Sequence, residues 1–244
     1  MHSSGANSRP FVFGATFAAL VGAALLLRPI GQSLTPAGPN AVQLGTLAGN
    51  GGVLAALGGL RSAVAGGFWL RANLAWEKRD AAATTALIGL TVAADERPVY
   101  FWLNGARMLA YDLPEWRLDA TAPAAVRQRE MIEGARQALH FLEQGRRWHA
   151  AEAAFFIEMG NIHLRRTGDV ESAARCYRQA AEQPGAPYYA ARIHGELLRE
   201  LGRPAEALAW LRQVLAELPA DDPAARREVV EERIRALERE VGMR

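Results

Sequence analysis

Residues suited to binding chemistry are concentrated between positions 101 and 117 of this 244-residue chain. Within that segment Asn104, Arg107 and Tyr111 recur at helical spacing, so they share one face of a helix. Arginine, tryptophan and tyrosine are also the residue types that contribute most to protein-binding hot spots. We therefore predict a partner-binding site that consists of Trp102, Asn104, Arg107, Tyr111, Asp112, Trp116 and Arg117.

A packing role is the alternative interpretation of the same segment. Arg107 or Arg117 would then pair with Asp112, and the tryptophans would fill the space between helical hairpins. The sequence does not separate this interpretation from a binding face, because both require polar and aromatic residues on one helix.

A second set of residues could hold a metal ion: His149, Glu152, Glu158 and His163. A metal site needs three or four converging ligands, usually with further residues that orient them. A histidine and a glutamate three residues apart are only a weak motif of this kind. We therefore interpret these residues as groove or surface side chains, and we predict no metal and no other cofactor.

The sequence contains none of the common catalytic motifs. It lacks the Gly-x-Ser-x-Gly nucleophile turn, the Walker phosphate-binding loop and a dinucleotide-binding glycine motif after a strand. We therefore predict that the protein is not an enzyme, and the alternative is a hydrolase or other enzyme on a helical scaffold that uses His149, Glu152 and His163. The single cysteine, Cys176, excludes an internal disulfide and is predicted to be a small core residue.

The charge of the chain implies no strongly charged partner. The formal net charge is only +2. Arginines between positions 127 and 147 are interleaved with glutamates, a pattern typical of a solvated helix face. We therefore predict no nucleic-acid partner.

The first hydrophobic segment is Phe11–Leu27, seventeen residues without a charge, flanked by Arg9 and Arg28. At about 1.5 Å per residue it nearly crosses a bilayer core of ~30 Å. A cleaved signal peptide is the alternative, but the residues after this segment form a poor cleavage site. We therefore predict one uncleaved transmembrane helix at 11–28, in a bacterial inner (cytoplasmic) membrane, with the body of the protein outside the cytoplasm.

Proline and glycine are frequent in residues 29–52, which we predict to be a linker. Val53–Leu70 is apolar again, but Arg61 lies in its middle. A central arginine costs about 2.5–3.5 kcal/mol on membrane insertion. We therefore predict an amphipathic helix that lies against the first repeat or on the membrane surface, and a second membrane span is the alternative.

The rest of the chain shows helical periodicity between proline and glycine breaks. A hairpin that begins near Trp69 is predicted to end at Pro98, and the helix that follows is predicted to stop at Pro114. Gly145 is predicted to cap the C-terminal end of a helix over 124–143. The other predicted helices cover 148–166, 170–182, 188–201 and 204–218, and a last one begins at 222–223.

Four pairs of similar residues are separated by 34 positions. These pairs are Gly168 and Gly202, Ala173 and Ala207, Tyr177 and Leu211, and Ala180 and Val214. A period near 34 with glycine, alanine and a bulky residue in fixed order is typical of stacked helical hairpins. Such stacks form extended binding surfaces rather than reaction centres.

Over residues 155–219 the sequence resembles the tetratricopeptide repeat superfamily. The characteristic positions are occupied in one repeat by Gly160, Gly168, Ala173, Tyr177 and Pro184, and in the next by Gly195, Leu198, Gly202, Ala207, Leu211 and Pro219. Residues 69–118 resemble the family only loosely. The resemblance implies an all-α, right-handed superhelical solenoid that binds proteins in its groove.

We therefore predict an all-α, tetratricopeptide-like solenoid preceded by one transmembrane helix. The predicted segments are a tail at 1–10, the anchor at 11–28, the linker at 29–52, degenerate hairpins at 53–122, clearer repeats at 123–219 and a capping helix at 220–244. The predicted function is a membrane-anchored scaffold that captures a partner protein or peptide in a concave groove.

A structural subunit of a larger envelope assembly is the alternative function. The small residues Gly14, Ala18 and Gly22 share one face of the predicted anchor and could bring two such helices together. A homo-oligomer is therefore left open by the sequence.

Overall fold

The computed structural model of this chain describes residues 51–242. The predicted tail, the anchor at 11–28 and the linker up to residue 50 lie outside the described residues. Within residues 51–242 every regular element is a helix, so the all-α prediction is confirmed for this part of the chain. The α-helices are α1 (Gly51–Glu77), α2 (Ala81–Ala94), α3 (Val99–Arg107), α4 (Leu113–Trp116), α5 (Ala124–Arg146), α6 (Ala153–Ile162), α7 (Val170–Ala181), α8 (Tyr188–Glu200), α9 (Pro204–Glu217) and α10 (Arg227–Gly242).

Three short helical segments complete the described chain. Wider π-helical turns at Met108–Asp112 and His163–Thr167 follow α3 and α6, and a 3₁₀ turn at Pro223–Ala225 precedes α10. None of the helices within residues 51–242 combines the length and the hydrophobicity needed to span a lipid bilayer.

The described residues divide into two compact units, with the boundary between Pro98 and Val99. This division falls inside the predicted segment 53–122, whose second half packs with the later repeats, because α3 lies against α5. The break at Pro98 has a local cause, since proline disfavours helical geometry in the residue before it.

In the first unit α1 and α2 form an antiparallel hairpin. The sequence predicts an amphipathic helix over 53–70 and a hairpin that begins near Trp69, but both lie on one helix, α1, which runs from residue 51 to residue 77. Arg61, the charged residue within this apolar segment, binds groups at and just after the C-terminal end of α2. Its guanidinium binds the Glu96 carboxylate at 2.5 Å and the Ala94 carbonyl at 3.2 Å.

In the second unit successive hairpins are stacked. The pair α6 and α7 forms one hairpin and α8 and α9 form the next, with α7 against α8 and α10 against α9. The predicted boundaries of α7, α8 and α9 agree with the observed ones to within one residue. The capping helix α10 buries Val230, Ile234 and Leu237 against α9, so it covers the apolar end of the stack.

The 34-residue period is explained by the turns and by the contacts inside each hairpin. Gly168 and Gly202 both adopt left-handed backbone conformations, with φ of +69° and +73°, at the end of the first helix. A glycine on that first helix allows close approach of the second helix. A Cβ atom at Gly160 would lie 2.9 Å from the Tyr177 ring, and one at Gly195 would lie 2.9 Å from Leu211.

Pro114 does not end its helix, contrary to the prediction. The π-helical turn before it places the Leu113 amide in a hydrogen bond with the Met108 carbonyl, five residues back. Proline has no amide hydrogen and clashes with the preceding turn of a regular α-helix. The wider turn relieves this conflict, and Pro114 is buried against Gly134 on α5.

Candidate partner-binding surface

The predicted binding residue Arg107 is held by a carboxylate from another hairpin. Its Nε and Nη2 atoms donate to the same Glu158 oxygen, Oε2, at 3.0 and 2.8 Å. The Glu158 side chain is 4 % exposed, whereas that of Arg107 is 52 % exposed. The ion pair therefore fixes the orientation of an arginine that still faces solvent.

Tyr111 lies one helical turn further along and contacts the same neighbouring helix. The guanidinium of Arg166 lies 4.6 Å from the centre of the Tyr111 ring, and its Nη2 atom donates to the Tyr111 carbonyl at 2.9 Å. Burial raises the pKa of Tyr111, as does the charge of Glu158, and the positive charges of Arg165, Arg166 and Arg107 oppose this shift.

Tyr177 and Tyr189 extend the same cluster toward α8. The Tyr177 hydroxyl donates to Asn161 Oδ1 at 2.7 Å. Burial raises the pKa of Tyr177 to about 12, with a further contribution from Tyr189, while Arg165 lowers it. Tyr189 and Arg165 are thus close enough to Tyr177 to act on it electrostatically, and Tyr189 is 42 % exposed.

We call the solvent-facing part of this cluster the tyrosine–arginine surface and define it as Arg107, Tyr111, Asn161, Arg165 and Tyr189. Its residues come from three successive hairpins. Glu158 and Tyr177 lie beneath it and support it through the hydrogen bonds described above.

The other predicted site residues are placed differently. Trp102 is only 4 % exposed and packs against Phe141, with ring centres 4.7 Å apart. Asn104 donates to the Tyr100 carbonyl in its own helix. Asp112 and Trp116 are partly buried. The structure therefore brings Arg107 and Tyr111 to the tyrosine–arginine surface and places Trp102 in the core.

The arginine pairing expected under the packing alternative also differs. Arg107 pairs with Glu158, and Arg117 lies 3.9 Å from Glu130 on α5. Because these acids come from distant parts of the sequence, no local pattern could have identified them.

Gly145 has a packing role rather than the predicted capping role. It lies inside α5, where a Cβ atom would be 2.5 Å from the Phe155 ring and 2.7 Å from the Trp102 indole. The glycine therefore lets two aromatic side chains from different helices meet α5 closely.

The His/Glu residues considered for a metal site have other contacts. His149 stacks on Phe155 with ring centres 5.4 Å apart, and Glu158 is bound by Arg107. Burial lowers the pKa of His163, with a smaller opposing effect from Asp169. In the part of the chain that the structure describes, no three His, Cys, Asp or Glu residues converge as metal ligands would.

A cleft of about 1200 Å³ lies between α7 and α9, with α8 as its floor. Most of the charged side chains on its walls form ion pairs with one another. The ion pairs on these walls join Arg175 to Glu171, Arg178 to Glu182 and Arg203 to both Glu171 and Glu206. Arg192 also lines the cleft and donates to the Ala225 carbonyl at 3.1 Å, and Tyr189 belongs to the same lining.

Sequence reasoning missed three contributors to the surface: Asn161, Arg165 and Tyr189. Glu158, Asn161 and Arg165 recur at helical spacing on an otherwise apolar segment, so they share one face of the helix. That spacing is a signal from which two of the missed residues could have been found. The proximity of Tyr189 depends on the stacking of the hairpins.

No protein-family profile matches this chain, and no curated protein matches it significantly. Among solved structures, the chain is similar to a thermophilic tetratricopeptide repeat protein from Thermus thermophilus. The two are 18 % identical with a TM-score of 0.43, and the match covers 95 % of this chain and 98 % of the other. The described part of the chain is all-helical, and its second unit is a stack of helical hairpins.

Proposed function

We propose that this chain is a membrane-anchored scaffold that captures a partner protein on the tyrosine–arginine surface. The observation that carries the proposal is that five polar and aromatic residues from three hairpins form one partly exposed surface supported from beneath. A surface built across several repeats is suited to an extended segment of a partner rather than to a small molecule.

The composition of the surface supports protein binding. Tyrosine and arginine combine a large contact area with hydrogen-bonding groups, which is why they are frequent at interface hot spots. Arg107 is already oriented by Glu158. A partner would therefore order few additional side chains on binding, and this reduces the entropic cost of the complex.

The membrane anchor is proposed from the sequence of residues 11–28. A span at that position would be joined to α1 by the proline- and glycine-containing linker. We propose that the anchor lies in a bacterial inner membrane and that the repeats lie outside the cytoplasm. The scaffold would then hold its partner close to the membrane surface.

Crosslinking in intact membranes tests the capture. The Arg165→Glu/Tyr189→Ala variant changes two exposed residues of the surface. The matched control, Arg235→Glu/Trp148→Ala, changes an exposed arginine and an exposed aromatic residue elsewhere. Circular dichroism and the urea midpoint establish that both variants are folded. We expect a partner to be recovered with the native chain and with the control but not with the surface variant.

Equal recovery with all three proteins would refute a binding role for this surface. The anchor is tested separately by alkaline extraction of membranes that contain the chain with or without residues 1–28. Retention of the full chain and release of the shortened chain are expected. Release of both would refute the anchor.

A further inference from the structure

We infer that α2 lies on the surface of the phospholipid bilayer, with its uncharged outer face at the boundary between headgroups and acyl chains. This inference rests on the anchor of the proposed function and adds a second membrane contact, made by a helix that does not span. Three features of the first hairpin support it. They are the composition of the outer face of α2, the way its polar groups are satisfied, and the residues at the two ends of the hairpin.

The outer face of α2 carries no charge. None of the fourteen residues of α2 is charged. The exposed residues recur at helical spacing and form one face, which consists of Ala82, Thr85, Ala86, Gly89 and Leu90. A surface helix usually has charged residues opposite its buried face, and a helix that is apolar all round is usually covered. The outer face of α2 therefore has the composition of a contact surface.

The polar side chains of α2 are satisfied within the helix itself. The hydroxyls of Thr84, Thr85 and Thr91 each donate to the carbonyl four residues back, at 2.7 to 2.8 Å. The outer face therefore offers no unused side-chain donor to a partner. Protein interfaces usually contain about one hydrogen bond per 100–200 Å², whereas hydrocarbon requires that polar groups be satisfied internally. Acyl chains thus complement this face better than a protein surface does.

Charged groups lie at both ends of α2. After its last turn, the buried acids Asp95 and Glu96 are bound by Arg97 and Arg61. Before its first turn lies the exposed, charged connection Glu77–Asp80. The fourteen uncharged residues between these ends cover about 21 Å at 1.5 Å per residue, which is less than a bilayer core of ~30 Å. The helix therefore fits along the membrane surface rather than across the bilayer.

The turn before α2 contains residue types that favour the headgroup region. Trp76 is 37 % exposed, and Lys78 and Arg79 are exposed beside it. Tryptophan is enriched at the membrane interface, and long basic side chains can reach phosphates while their stems stay in apolar surroundings. Arg79 has a φ of +55° directly before the N-cap, where the later hairpins have Gly168 and Gly202. The turn thus retains a long cation where glycine would avoid a steric cost.

The proposed anchor makes a weak contact sufficient. The outer face of α2 has one leucine among small residues, so its own affinity for a bilayer is low. Residues 29–50 separate the anchor from α1, and a flexible chain of that length has a root-mean-square span of roughly 25 Å. Such a tether raises the effective concentration of α2 at the membrane surface. The contact therefore forms in the full chain and is lost when residues 1–28 are removed.

Fluorescence quenching in phosphatidylcholine nanodiscs tests the inference. The full chain with Cys176→Ala receives a bimane label at a cysteine introduced by Leu90→Cys or, as the control, by Val126→Cys on α5. Positions 90 and 126 are both 44 % exposed. A phospholipid with a nitroxide on its upper acyl chain quenches from the bilayer, and iodide quenches from water. We expect the nitroxide to reduce emission at position 90 about twofold or more, and iodide to quench position 90 about fivefold less than position 126.

A charge placed on the outer face should break the contact. Ala86→Glu lies one turn from Leu90 and would bring a carboxylate to the acyl boundary, so iodide quenching at position 90 should rise to within about twofold of that at position 126. Ile132→Glu adds the same charge at a site on α5 that is 45 % exposed, and it should leave position 90 unchanged. Circular dichroism establishes that both variants are folded. Equal effects of the two substitutions would overturn the inference.

Two further results would also overturn it. Equal iodide quenching at positions 90 and 126 would show that α2 faces water. Protection of position 90 from both quenchers would show that protein covers it, either a second copy of the chain or residues 11–27. Co-elution of the chain with nanodiscs reports the anchor separately. If the chain co-elutes but the nitroxide does not quench position 90, the anchor stands and only the α2 contact fails, whereas failure to co-elute removes both.

Discussion

Arg107 and Glu158 are 51 residues apart in the sequence and form an ion pair between α3 and α6, with Arg107 Nη2 2.8 Å from Glu158 Oε2. The pair is asymmetric, because the glutamate is buried and the arginine is half exposed. Removal of each partner should therefore have a different consequence for stability and for the tyrosine–arginine surface.

Arg107→Met should destabilise the second unit more than Glu158→Gln. The first change leaves a buried carboxylate without its cation, at a cost of about 3 kcal/mol. The second leaves a neutral acceptor for an arginine that can also reach water, at a cost of about 1 kcal/mol. Urea denaturation at pH 7 measures both, and Arg136→Met, which breaks an exposed pair with Glu133, should change stability little. The reverse order of the two losses would contradict the asymmetry.

Gly195→Ala should destabilise the repeat hairpin by about 1–3 kcal/mol, because the added methyl group would overlap Leu211. The control is Gly89→Ala in α2, where a Cβ atom meets nothing within 4 Å. That change should be neutral or stabilise the helix by up to about 1 kcal/mol. Thermal unfolding followed by circular dichroism compares the two, and a stabilised Gly195→Ala variant would show that α8 and α9 are not in close contact.

Asp169→Ala should destabilise α7 by about 1 kcal/mol at neutral pH, because Asp169 accepts the Ser172 amide hydrogen at 2.9 Å as the N-cap. Hydrogen bonds from the Ser172 hydroxyl and amide lower the pKa of Asp169 below its usual 3.8. A lowered pKa means that this stabilisation is complete above the unfolded-state value and is lost as the pH falls through the folded-state value.

The difference between the native chain and Asp169→Ala should accordingly be larger at pH 7 than at pH 3. Urea midpoints at the two pH values measure it. Asp221→Ala is the control, since Asp221 is exposed and caps no helix. A difference that grew at low pH would contradict the assignment of the cap.

Cys176 should be unreactive in the folded protein. The thiol is buried, and burial raises its pKa to about 11. Since thiolate is the reactive form, labelling by a disulfide reagent at pH 8 should be about 100-fold or more slower in buffer than in urea. Cys176 is the single cysteine in the chain, so the release of thiolate product reports its exposure directly. Rapid labelling in buffer would contradict its placement between α6 and α7.

The repeat hairpins could be predicted because their determinants are local. Gly168 and Gly202 end helices in a left-handed conformation that glycine adopts without a steric penalty. Ala173 and Ala207 are fully buried at equivalent positions, and the bulky Tyr177 contacts a glycine on the facing helix. Each of these features depends on residues within one hairpin, and the spacing in the sequence preserves them.

The helix ends near Pro114 and Gly145 were harder to predict. Pro114 stays within a helical segment because a π-helical turn precedes it. Gly145 lies within α5, where Trp102 and Phe155 occupy the volume that a side chain would fill. Both outcomes depend on helices that are distant in the sequence. Propensity alone predicts helix ends at Pro114 and Gly145, whereas the observed helices end at Trp116 and Arg146.

The sequence by itself determined the helical class, the repeat period and the presence of Arg107 and Tyr111 on one helix face, because these follow from turn chemistry and periodicity within short segments. Only the tertiary structure decided that Trp102 is core, that Glu158 holds Arg107 and that Arg165 and Tyr189 complete the surface. The physical reason is that contacts between hairpins depend on how whole hairpins stack, and that stacking is a sum of many packing contacts spread over the unit rather than a pattern in any one segment.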